Sequence, residues 1–225
     1  ATNQIAQTGL SSLPPVIYYS EQLFRAINLP SIMTHGIYPV GRAHEVDAAP
    51  VINDNYRFDG HSDSTSLSIG FPNCQMLYKY RMSDVTVDWF ILVLPPSILW
   101  TKNCAFCCHN AADGRISTQP LTNLMTPRAF AGMYQDIAGI PSREEQRLKI
   151  YDPSDVQAEV LVFDVIEPHD IACVVFERSA ARDAYAPYLG DRKLYLHANN
   201  MYGDGIHLTV AHKREWSYGF KPDNK

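Results

Sequence analysis

The sequence predicts an α+β domain: a mainly antiparallel central β-sheet with peripheral helices, formed by all 225 residues as one unit. Strand-like runs outnumber helix-like ones, and the few helices are too scattered for regular βαβ alternation. The composition, 46% hydrophobic and 19% charged, is that of a globular protein able to build a real core. No repeat, low-complexity tract or long linker divides the chain.

Taken in order, the expected strands are "VIYY", "TSLSIGF", "VDWFILVLP", "AEVLVFDVI", "IACVVFE" and "KLYLH". Each is short, rich in β-branched or aromatic residues, and bounded by turn formers. Three helices are expected. "NLPSIMTHG" should end at Gly36, and "TPRAFAGMYQDIAG" should be capped by Thr126 with Pro127 in its first position. "SAARDAYAPYLG" should stop near Pro187. The stretch from Asn55 into "TSLSIGF" can be read as a solvated loop followed by a half-polar edge strand.

Several function classes fall away. The longest apolar run, "WFILVLPP", is far short of the ~18 residues of a membrane span. "ATNQIAQTGLSS" has neither a basic nor an apolar stretch, so no signal peptide is expected there. Five unevenly placed cysteines are not a disulfide framework and favour a reducing, cytoplasmic setting. "CAFCCHN" (Cys104 to Asn110) lacks the second ligand pair of a structural zinc site, so no metal is expected, and small buried cysteines on a strand edge explain it. There is no GxGxxG, GxxxxGK[ST] or HExxH. A net charge of −5 argues against a generic nucleic-acid coat but allows a local basic groove.

Two stretches carry candidate chemistry. Between Asn55 and Arg81, Arg57, Asp59, His61, Asp63, Ser64, Thr65, Ser66 and Ser68 crowd donors and acceptors around a strand. They suit either a solvated loop or a phosphate- and ribose-binding edge with Arg57 as a bidentate fork. In "PSDVQAEVLVFDV", alternation puts Glu159 on one strand face with Leu161, Phe163 and Val165. A carboxylate there is costly unless it is paired or hydrogen-bonded. It is an exposed strand-end glutamate, a partner for one of the arginines (Arg143 or Arg147) of the preceding loop, or a group facing a positive substrate centre.

The chain resembles the DarT family of toxin DNA ADP-ribosyltransferases. The motifs are "LFRAINLPSIMTHGIYP", "SLSIGFPNCQMLYKYR", "DWFILVLPPSILW", "FCCHNAADGRI" and "VQAEVLVFDVIEP", which together span roughly residues 20 to 177. The most specific is the Gln-Ala-Glu that precedes an apolar strand, followed by Met76-Leu77-Tyr78. The resemblance implies an ADP-ribosyltransferase fold using NAD as co-substrate, with Glu159 as the catalytic glutamate and Arg57, which follows Ile52 at about the family's distance, as the essential arginine. It places Arg25, Asn28, Ser66, Met76 and Tyr78 around NAD and His109 and Asn110 near the target base. Residues 142 to 157 would be the target-recognition loop, with Arg143, Arg147 and Lys149 on the phosphates of single-stranded DNA and Tyr134 and Tyr151 as stacking surfaces. A cognate antitoxin, a DarG-type macrodomain that removes ADP-ribose from DNA, is the implied partner. The chain lacks the histidines of the family's Tyr-His-x-Thr-His opening and replaces an aromatic strand by "SLSIGF". Thymine and guanine both stay open as targets, and RNA, protein or a silent binding domain of this fold are the alternatives.

The resemblance explains the cost of Glu159. Breaking the ribose–nicotinamide bond of NAD develops positive charge at the sugar, as in glycoside chemistry. A carboxylate in a partly dry pocket stabilises that charge far better than in water, and it can take the proton of an attacking base nitrogen.

Overall fold

The structure, a computed structural model, describes residues 16–18, 25–46, 50–51, 57–70 and 72–196. Tyr19, Ile52, Phe71 and His197, which belong to sequence expectations above, lie outside these residues. Seven strands form one sheet: β1 Val16–Tyr18, β2 Thr65–Ile69, β3 Phe90–Leu94, β4 Cys104–Cys107, β5 Glu159–Val162, β6 Cys173–Phe176 and β7 Lys193–Leu196. Their order is β4-β5-β2-β1-β3-β6-β7, and every neighbouring pair is antiparallel except β6–β7. The sheet fits the expectation, with one correction. β2 is an interior strand, paired with β5 on one side and β1 on the other, and not the edge expected from its serines.

Helices form where caps and apolar spacing agree. α1 (Leu29–His35) starts with Pro30 in its first turn and ends at Gly36, whose φ of 91° is one that only glycine adopts cheaply. A Cβ at Gly36 would also lie 2.4 Å from the Ile166 carbonyl oxygen, so Gly36 is needed twice over. α2 (Cys74–Ser83) was not expected; the Asn73 side chain caps it by accepting from the Met76 N–H at 3.2 Å. Short turns of helix follow at α3 (Ile98–Thr101), α4 (Gly114–Ser117) and α5 (Leu121–Leu124). α6 (Pro127–Gly132) begins as expected, with Thr126 accepting from the Ala129 N–H. It stops earlier than the pattern suggested, and the Met133 carbonyl accepts from the Ser154 N–H instead of a helical partner. α7 (Ser179–Tyr185) passes into a 3-10 turn, Ala186–Tyr188. Among the described residues no helix is long and apolar enough to cross a membrane.

The two sheet faces differ. On one, Leu67, Phe90, Leu92, Phe106, Val160, Val162, Val174 and Phe176 form a continuous core with Leu29 and Ile32 of α1, Phe130 of α6 and Ala181 of α7. Phe106 and Phe130 meet edge-on with ring centroids 5.0 Å apart. On the other face the apolar cover splits in two. Leu77, Trp89, Ile91, Val93 and Val175 cluster beneath α2, and Ala105, Cys107, Ala111, Ile116 and Leu161 cluster under α4 and α5. Between these clusters β2 presents Ser66 and Ser68, which alternate with Leu67 and Ile69 on the closed face.

Candidate active site

Glu159 opens β5 at this polar seam and is only 7% exposed, so bulk water barely reaches it. Two donors meet its carboxylate: the Asn110 side-chain amide donates to Oε1 at 2.9 Å, and the Ala111 N–H to Oε2 at 2.9 Å. Both donors come from the turn after β4, whose last residue, Cys107, pairs with Glu159. Burial pushes the Glu159 carboxyl up to about 7; the Ala111 N–H and the Arg57 charge oppose that rise, and Asp59 and Asp155 add to it. Extending the β2–β5 register by one residue brings Ser68 level with Glu159. The Ser68 hydroxyl is buried and has no hydrogen-bond partner among the described residues. Polar groups of this kind are rare in native interiors and suit a site completed by a ligand.

Arg57 sits in a tight loop that runs into β2. Its φ of 39° is left-handed, a conformation costing roughly 1–3 kcal/mol for such a residue. The guanidinium holds the loop in that shape. Nε and Nη2 grip both Asp59 oxygens at 3.0 and 2.6 Å, and further bonds reach the Ser64 carbonyl and hydroxyl and the His61 carbonyl. The expected fork exists, but Asp59 fills it and not a phosphate. The loop leans on β5, with the His61 ring edge-on to Phe163 at 5.9 Å.

The connection from α6 to β5 crosses the same face, where Leu148 packs on the cluster beneath α2. Arg143 organises it from inside. Its guanidinium donates to the Asp152 carbonyl at 2.6 Å, the Lys149 carbonyl at 2.7 Å and the Ser154 hydroxyl at 3.0 Å, and lies over the Tyr134 ring. Arg147 is exposed, with a φ of 54°, and Lys149 extends over the Tyr151 ring. Ile150, between them, is 89% exposed. Nearer the strand, His109 Nδ1 and Asp155 Oδ2 are 2.6 Å apart and buried.

The model of one protein family, described as "ssDNA thymidine ADP-ribosyltransferase, DarT", matches residues 23–216. The chain belongs to the DarT family. Solved DarT structures share its fold. The Thermosipho africanus DarTG in complex with ADP-ribose aligns at a TM-score of 0.53 and 13% identity, covering 81% of this chain and 49% of that one. The Thermus sp. 2.9 DarT in complex with carba-NAD+ aligns at 0.51 and 10% identity, covering 82% of this chain and 94% of that one. This chain thus spans about half the length of the DarTG structure. A search of curated proteins finds no match.

The residues expected around a DarT site divide by geometry. Glu159, Asn110, Arg57 and Ser66 converge on the seam. Asn110, expected near the target base, donates its side-chain amide to Glu159. His109, expected beside it, is turned into the protein by Asp155. Asn28 is buried, and both ends of its amide are taken by the Val51 backbone, at 3.1 and 3.0 Å. Arg25 bridges to Trp89 through the backbone at the sheet margin. Met76 and Tyr78 are half-buried on α2, Met76 against the cluster beside the seam. Arg143 is a loop scaffold, leaving Arg147 and Lys149 as the outward charges. Sequence reasoning missed Ala111 and Asp155, and gave Asp59 and Ser68 only as members of the polar stretch around β2. A signal existed for Asp155, in the Pro-Ser-Asp turn before the strand; backbone donors and orphan hydroxyls leave none. In "CAFCCHN", Cys104 and Cys107 lie on opposite faces of β4 and burial raises both thiols.

Proposed function

We propose that this protein is an NAD-dependent ADP-ribosyltransferase that modifies a base of single-stranded DNA and releases nicotinamide. Thymine is the first expected target and guanine the second. The carrying observation is Glu159: a nearly dry carboxylate with two fixed donors, set in a polar gap between two apolar clusters. The family description names single-stranded DNA and thymidine, and relatives of the same fold bind ADP-ribose and carba-NAD+.

The seam fits NAD in kind. Ser66 and Ser68 offer hydroxyls to a ribose, the flanking clusters give apolar walls, and Met76 stands at the border of one wall. Ionised Glu159 stabilises positive charge at the ribose and accepts the proton of the attacking base nitrogen. Asn110 and Ala111 aim the carboxylate beforehand, so little reorganisation is left for the reaction. Arg57 acts at one remove, by shaping the loop into β2 and keeping a positive charge near Glu159. Arg147 and Lys149 meet DNA phosphates, with Tyr151 as a stacking surface. In the cell the activity is that of a toxin, opposed by a DarG-type macrodomain antitoxin in a toxin–antitoxin pair.

The decisive experiment incubates the protein with NAD and a panel of oligonucleotides, single-stranded and duplex, with thymine or guanine omitted in turn. Intact mass should gain one ADP-ribose on single strands that contain the target base. An unmodified DNA panel alongside modified RNA or modified protein would overturn the DNA assignment.

A further inference from the structure

We propose that Asp155 is a positioning residue which, by binding His109, locks together the two segments that build the Glu159 site and fixes the tautomer of the buried imidazole. The inference rests on the reading above, since the site it serves is the one assigned to Glu159.

Asp155 acts on both sides of the carboxylate. Its Oδ1 accepts from the Gln157 N–H at 2.9 Å and its carbonyl from the Ala158 N–H at 3.1 Å, which folds the turn leading directly into Glu159. Its Oδ2 meets His109 Nδ1 at 2.6 Å. His109 precedes Asn110 and Ala111, the two residues that donate to Glu159. The regular ladder ends at Cys107↔Glu159, and beyond it the clamp joins the donor turn to the acceptor segment alongside the two bonds to Glu159 itself. Both members are buried, His109 at 5% and Asp155 at 9% exposure.

An ionised carboxylate only accepts, so Nδ1 must carry a proton and Nε2 is left with its lone pair in the neutral ring. Charge matters as well as geometry. Around Glu159 stand Asp59 and Arg57 from the loop before β2, Asp155 from the loop before β5, and Cys107 from β4. Asp155 is one of the two negative charges that oppose ionisation of Glu159.

Asp155→Asn tests this with little change of shape. Its amide oxygen can keep the Gln157 bond, and its NH2 then faces His109 Nδ1 and reverses the tautomer. Transfer of ADP-ribose to DNA should fall in kcat by about tenfold or more, with KM for NAD little changed, because the aim of the carboxylate is lost and not the binding surface. His109→Ala should cost a similar factor, and the double variant no more than either single, the signature of two residues acting as one. The acid limb of the pH–rate profile of Asp155→Asn should move to lower pH. The same shift should appear in the carboxyl titration of Glu159 followed by 13C NMR, its signal assigned by its absence in Glu159→Gln. Unchanged kcat with an unmoved titration overturns the proposal. So does a fall in kcat with an unmoved pH profile and titration, which would mark a merely structural loss. If the parent protein modifies no DNA at all, the functional reading fails, while the NMR titration still decides the clamp.

Discussion

The closed face of the sheet and the seam face are built from the same strands, residue by alternate residue, and they do opposite things. On the closed face the inward positions are apolar except for Thr65, and Phe90, Leu92, Val174 and Phe176 belong to one continuous cluster. On the seam face the cover breaks at Ser66, Ser68 and Glu159, and three polar residues stand where packing alone would favour valines. The closed face supplies the stability that lets the seam face be imperfect. Marginal stability means such imperfection must be local, because one or two buried polar groups can cost as much as a lost core side chain.

Changes on the two faces should therefore fail differently. The largest effect is expected on the closed face: Phe176→Ala should lower unfolding free energy by about 3–5 kcal/mol, measured by denaturant titration. On the seam face, Glu159→Gln should leave the fold intact and lower transfer by a factor equivalent to about 3 kcal/mol or more of barrier. Near-normal turnover by this variant would break the comparison.

A subtler difference lies in pH. The Glu159 carboxyl titrates near 7 in the folded chain against 4.5 for an ordinary glutamate, so the native state holds its proton more tightly than the unfolded one. Its contribution to stability is complete below pH 4.5 and is lost as pH rises through about 7. Melting temperatures of Glu159→Gln and parent should thus move in the variant's favour between pH 5 and pH 8. Activity, which needs the ionised form, should rise over the same interval. A pH-independent difference in melting would remove burial as the source of the shift.

Smaller effects sharpen the picture. Ser68→Ala deletes a hydroxyl that has no partner among the described residues, so stability should hold or rise slightly while KM for NAD increases. In the α6–β5 loop, Arg147→Ala with Lys149→Ala should weaken single-strand binding about equally across sequences and lower the salt slope by about 0.7 per charge removed. Arg143→Ala should instead loosen the loop, seen as faster amide exchange across residues 149 to 154.

The sequence announced the fold through its strands. "FILVL" and "CVVF" are buried on both faces in the structure, and continuous apolar runs of that kind are legible without any partner in view. α2 was hidden because its buried positions include the charged Arg81 as well as Leu77, so its apolar period is faint and only the Asn73 cap betrays it. Glu159 was legible because a charge within an apolar alternation demands a reason. Its support was not: Ala111 contributes a backbone N–H, which no side chain advertises. The three basic loop residues looked equivalent in sequence. Only tertiary geometry separates Arg143, turned inward on carbonyls, from Arg147 and Lys149.

That inward arginine has an evolutionary consequence. A loop whose shape is fixed by one of its own guanidiniums, through two backbone carbonyls, the Ser154 hydroxyl and the Tyr134 ring, behaves like the framework beneath an antibody's variable tip. The side chains it displays at Arg147, Lys149 and Ile150 can be exchanged without refolding the stem, and under the proposed function a target is met by a surface whose ordering entropy was already lost at folding. Variation in target preference would then have somewhere to accumulate without disturbing the stem.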